Sequence, residues 1–111
     1  MNTYKFQHIR GRDSFGNEKG AITIASKLSN NEFGIPENLE FAVTFCSPKD
    51  QFDKKFGREI STIRLENKDS EYYRKIDLRG NRKLKHYEIS DLMMAHVFST
   101  MPLPRWTDLY L

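Results

Sequence analysis

Apolar and polar residues alternate with period two in the first half of the chain and recur at helical spacing in the second. In residues 20–28 (GAITIASKL), Ile22, Ile24 and Leu28 alternate against Thr23 and Lys27, the pattern of a half-buried strand. Residues 39–46 (LEFAVTFC) set Leu39, Phe41, Val43 and Phe45 against Glu40, Ala42, Thr44 and Cys46. The second of these faces carries small residues, Ala42 and Cys46, that another layer or subunit would cover. The intervening SNNEFGIPEN has hairpin-loop chemistry. Residues 4–9 form a weaker strand candidate, and the following RGRDSFGNEKG reads as irregular because it is rich in glycine and charge.

A helix is expected immediately after Cys46, over about residues 48–66. Ser47 suits its N-cap, Pro48 its first position, and Asp50 completes an arrangement like a capping box. Phe52, Phe56, Ile60 and Ile63 then form one apolar stripe, with Lys54, Lys55, Arg58 and Arg64 off it. Gly57 interrupts this helix at a cost of about 1 kcal/mol relative to alanine. A close approach, of packing or of ligand, would compensate. Residues 72–78 read as a short strand and Arg79-Gly80-Asn81-Arg82 as a turn.

A second helix spans about residues 90–101, with Ser90 as cap and Asp91 in its first turn. Ile89, Leu92, Met93 and Val97 mark one face, and Met94, Phe98 and Met101 another. A helix apolar on two sides is covered on both, so the expected second cover is another subunit. Pro102 and Pro104 end this helix, and Arg105-Trp106 follow in an extended tail. The expected architecture is α+β: one domain over residues 1–111, an antiparallel sheet of about 3–5 strands packed with two helices, and a homo-oligomer.

Composition narrows the classes. The chain has 111 residues, 38% hydrophobic and 30% charged, which suits one globular domain. No apolar run approaches the ~20 residues of a membrane helix, and MNTYKFQHIRGRD holds no apolar signal core. A single cysteine excludes an internal disulfide, and with three scattered histidines it argues against structural zinc. These features fit a protein of the reducing cytoplasm with no cofactor.

The net charge of +3 is unevenly spread. Residues 1–46 are neutral, residues 47–86 carry twelve basic and seven acidic side chains for +5, and residues 87–111 carry −2. The excess concentrates in Arg74, Lys75, Arg79, Arg82, Lys83 and Lys85, opposed there by Asp77. Such a run is either a solvated segment or a phosphate site.

Catalytic constellations are absent. There is no G-x-S-x-G, H-E-x-x-H or phosphate-binding G-x-x-x-x-G-K-[ST]. Cys46 at the end of an apolar strand reads as a small buried thiol. His96, central on the second helix, reads as a core or interface residue. Asp50 and Asp53 are explained by helix capping. The expectation is a protein that is not an enzyme.

The segment FCSPKDQFDKKFGREISTIRL (residues 45–65), preceded by Gly20-Ala21-x-Thr23-Ile24, resembles small bacteriophage counter-defence proteins, most of all the phage Thoeris anti-defence family. Lys19-Gly20 stands where that pattern has paired glycines, and Ile63 where it has a small residue. The resemblance implies an oligomeric α+β sponge in the host bacterial cytoplasm that sequesters a cyclic nucleotide or cyclic ADP-ribose-type signal without degrading it. Such a ligand needs cations for its phosphates and aromatic faces for its base. Arg58, Arg64, Arg105 and Lys55, with Phe52, Tyr87 and Trp106, would supply both, Trp106 as a lid. Two rival expectations remain: an inhibitor that binds a bacterial defence nuclease, and a small nucleic-acid-binding protein.

Overall fold

A computed structural model describes residues 4–12, 18–47, 53–78 and 83–104, apart from the side chains of residues 11, 12, 18 and 19. The elements are β1 (Lys5–Arg12), β2 (Glu18–Asn30), β3 (Pro36–Cys46), α1 (Lys54–Glu66), β4 (Tyr73–Asp77) and α2 (His86–Thr100). The strands form one four-stranded antiparallel sheet in the order β1-β2-β3-β4. The α+β expectation holds.

Period-two alternation sorts the side chains of β2 and β3 onto two unlike faces. Register pairs Ile22 with Phe45, Ile24 with Val43 and Leu28 with Leu39. Together with Phe41 these residues form a large-residue face, against which α2 lays Met93, Val97 and Met101. The opposite face is small: Thr23 pairs with Thr44 and Ala25 with Ala42. Helix α1 covers it through Gly57, Ser61 and Leu65. The chain is thus a helix–sheet–helix sandwich, and the face bearing Ala42 is covered by the chain's own α1. Each fully buried Phe or Ile of the large face contributes roughly 1.5–3 kcal/mol.

The β2–β3 hairpin closes as the loop chemistry requires. Asn31 Oδ1 accepts from Phe33 N at 2.9 Å and Ile35 N at 3.0 Å, and Gly34 takes φ +76°. The expected irregularity of RGRDSFGNEKG is corrected at both ends. β1 runs to Arg12, with Arg10 opposite Ala21 and Arg12 opposite Glu18. β1 is an edge strand, where glycine and charge are tolerated because one side of the backbone is unpaired.

Helix boundaries and faces also need correction. The N-cap of α1 is Asp53, not Ser47: its carboxylate accepts from Lys55 N at 2.9 Å and Phe56 N at 3.4 Å. Pro48, Asp50 and Phe52 lie outside the described residues, as does the expected turn at 79–82. The expected apolar stripe of α1 is not its core face, since Phe56 is 58% and Ile63 63% exposed. The sheet face beneath α1 is lined by small residues, so a close backbone approach through Gly57 and Ser61 replaces large side chains. A methyl group on Gly57 would sit 2.5 Å from Thr23 Oγ1. Ser61 is fully buried and bonds Thr44 Oγ1 at 2.7 Å and the Thr23 carbonyl at 3.2 Å.

Helix α2 begins at His86, with Lys85 as N-cap; Glu88 accepts from Lys85 N at 3.2 Å. Ser90 is therefore inside the helix and accepts from Gln7 Nε2 at 2.8 Å. The two expected apolar faces of α2 merge into one broad face: Met94 and Phe98 are partly buried against the same core as Met93, Val97 and Met101. That removes the reason α2 gave for a second subunit. Met101 ends the helix and Pro102 follows. No helix among the described residues is long and apolar enough to cross a membrane.

Candidate functional site

A groove of about 720 Å³ opens between the first turns of α2 and the β1–β2 side of the large-residue face. Its origin is local. Ser26 occupies an α2-facing position in a strand whose other such positions are Ile22, Ile24 and Leu28, so the apolar surface has a notch there. Leu28, Leu39, Ile89 and Met93 form the apolar floor. Lys5, paired opposite Ser26, and Tyr87 stand among the polar residues of the wall. Gln7 is fixed against Ser90 by its 2.8 Å bond. Lys85 Nζ lies 5.9 Å from the Tyr87 ring centroid, so a cation approaches that aromatic ring. Volume, apolar floor and a few polar groups match the usual anatomy of a small-molecule site.

A second, cationic locus lies on the α1 side. His8 Nδ1 is 3.0 Å from Thr23 Oγ1, beneath Gly57. Burial first, then the charges of Lys54, Arg58 and Arg10, hold the His8 imidazole below its ordinary 6.5. Two elements thus bring three cations around one imidazole, with Arg58 and Lys54 one turn apart on α1.

The expected site residues do not converge. Tyr87 is 62% exposed and lines the groove on the α2 side. Arg58 and Lys55 are exposed on α1, across the sheet from it. Arg64 is a structural residue: Nη1 donates to the Val43 carbonyl at 2.7 Å, and its guanidinium stacks 4.4 Å from the Tyr72 ring centroid. It satisfies a β3 carbonyl one residue beyond the point where β4 begins to pair. Phe52, Arg105 and Trp106 lie outside the described residues. Arg74, from the basic run, donates to the Thr100 carbonyl at 2.8 Å and Thr100 Oγ1 at 3.0 Å, tying β4 to the last turn of α2.

Sequence reading missed Lys5, Gln7, Ser26 and His86 as groove residues. One signal was available, the small polar Ser26 in an otherwise apolar alternation. Cys46 is half-buried rather than buried. His96 packs edge-on to Phe41, with ring centroids 6.4 Å apart. Among the described residues no cluster of His, Cys, Asp and Glu could hold a metal ion. No family model, curated protein or solved structure matches the chain.

Proposed function

We propose that the protein binds a nucleotide-class small molecule and holds it without turnover, as a counter-defence sponge for a cyclic nucleotide or cyclic ADP-ribose-type signal in the host bacterial cytoplasm. The groove beside α2 carries this reading. Tyr87 offers a ring for base stacking, Lys5 and Lys85 offer charge for phosphate, and Gln7, Ser26, Asn30 and Ser90 offer donors and acceptors for base or ribose edges. The resemblance of residues 45–65 to phage anti-defence proteins supports the ligand class.

Calorimetry against a panel of cyclic ADP-ribose isomers and cyclic dinucleotides tests it. The expected result is stoichiometric binding, with the ligand recovered unchanged after heat denaturation. Tyr87→Ala and Lys5→Ala should each weaken binding roughly tenfold, since a charge-assisted contact or a base stack contributes about 1.5–3 kcal/mol. No binding across the panel, or a chemically altered ligand, overturns the reading.

A second reading, an inhibitor that docks on a bacterial defence nuclease, is favoured by the cations Arg10, Lys54 and Arg58 gathered on the α1 side. Co-purification of such a nuclease, abolished by Arg58→Glu with the groove intact, is its expected signature.

A further inference from the structure

Four polar side chains are buried among the described residues: Thr23, Ser26, Thr44 and Ser61. Three of them lie on the α1 face and are satisfied there. Thr23 Oγ1 meets His8 Nδ1 at 3.0 Å, and Ser61 bonds Thr44 Oγ1 at 2.7 Å and the Thr23 carbonyl at 3.2 Å. Ser26 is the exception. It is 8% exposed, lies on the α2 face, and its hydroxyl has no hydrogen-bond partner among the described residues. A buried hydroxyl left without a partner destabilises a fold. No side-chain oxygen or nitrogen that is wholly sealed from solvent lacks a partner among the described residues, so Ser26 Oγ keeps an opening. The space it reaches is the groove. Close packing does not account for the residue either. On the α1 face small side chains bring the helix backbone down, at Gly57 and Ser61. Over Ser26 there is open volume instead.

We infer that Ser26 is the specificity-determining residue of the groove: its hydroxyl bonds a neutral polar edge of the ligand at the buried end, while the ligand's anionic group stays at the exposed end with Lys5. The inference rests on the groove being the binding site. In the sheet Ser26 stands between Lys5, which is exposed, and Phe41, which is fully buried, so it marks the inner end of a path from solvent to core. A phosphate at that depth would shed its water beside Phe41 and Leu39 with no cation buried alongside it, whereas a base or ribose edge loses far less. The Gln7 amide and the Ser90 hydroxyl hold each other at 2.8 Å, which leaves Ser26 as the buried polar group still open to a ligand. A hydroxyl both donates and accepts, and a site that buries one rejects an isostere with only hydrocarbon there. The ligand class is therefore an anion with a polar far end, a nucleotide rather than a fatty acid.

Thermal melts without ligand, and calorimetry with the tightest-binding member of the cyclic-nucleotide panel, test the inference. Ser26→Ala deletes only the oxygen. It should melt no lower than wild type and yet bind roughly three- to tenfold more weakly. The loss caused by Lys5→Ala should add to it, because the two residues hold different ends of the ligand. A lower melting temperature makes the hydroxyl structural, an unchanged affinity removes it from the contact, and a non-additive double variant puts both residues on one group. Each of these overturns the inference. If no panel member binds, the nucleotide reading fails separately, and the role of Ser26 is decided by the melts and by anilinonaphthalene sulfonate, an aromatic anion that fluoresces in apolar grooves. Wild type should light the dye. Ser26→Leu, which completes the alternation of Ile22, Ile24 and Leu28 and fills the notch, should stay folded by circular dichroism and leave it dark. A wild type that leaves the dye dark, or a folded Ser26→Leu protein that still lights it, overturns the inference.

Discussion

Replacing Gly57 with alanine gives α1 a better helix former and the wrong volume. By propensity alone the substitution stabilises by about 1 kcal/mol. The added methyl, however, meets Thr23 at 2.5 Å from Oγ1, 3.2 Å from Cβ and 3.4 Å from Cγ2. Thr23 is 2% exposed, β-branched and held at Oγ1 by His8 Nδ1 at 3.0 Å, so it has no free rotamer to yield. The helix must lift from the sheet, loosening the bonds of Ser61 to Thr44 and the Thr23 carbonyl. Overpacking of this kind costs about 1–3 kcal/mol. The expected net effect is a loss of up to about 2 kcal/mol, read as a lower urea midpoint at unchanged slope. Thr23→Ala removes both Oγ1 and Cγ2, so the double variant should be more stable than the sum of the single effects predicts, by about 0.5 kcal/mol or more. A Gly57→Ala protein more stable than wild type, or strict additivity with Thr23→Ala, would refute the packing account.

Arg64→Ala should lower stability by about 1–3 kcal/mol, because it strips the Val43 carbonyl of its donor, and Arg64→Lys should recover only part of that. Groove ligands should bind both variants with wild-type affinity; a selective affinity loss at full stability would return Arg64 to the binding site. The lowered His8 pKa means that the unfolded chain takes up this proton at a higher pH than the folded one. Its contribution is therefore present above about 6.5 and lost as pH falls through the lowered folded value, and thermal melts of His8→Asn should show a flatter acid limb. Burial, then the hydrogen bond to Glu40, raise the Tyr73 phenol from 10.0 to about 12. Its contribution is complete below 10.0 and lost as pH rises toward about 12, so Tyr73→Phe should remove that alkaline dependence in melts across this range.

Strands β2 and β3, the Asn31–Gly34 turn, β4 and the need for a close approach at Gly57 were all legible in the sequence. Each follows from a local constraint: side chains of a strand alternate in direction, a tight turn demands particular residues, and a glycine inside a helix needs compensation. Tertiary structure decided which face of each helix is buried. Periodicity groups residues onto one face but does not report what that face meets. Phe56, Ile60 and Ile63 share a side of α1 as expected, yet the sheet beneath offers Thr23, Ala25, Ala42 and Thr44. A small-residue sheet face takes a close helix backbone, so Gly57, Ser61 and Leu65 won the contact and the larger stripe was turned to solvent. The same logic dispersed the expected cations. Arg64 was claimed by the Val43 carbonyl of β3, one residue beyond the pairing with β4, and Arg74 by the last turn of α2. Lys5 and Tyr87, 82 positions apart in the chain, meet at one groove because β1 and α2 share the sheet's other face.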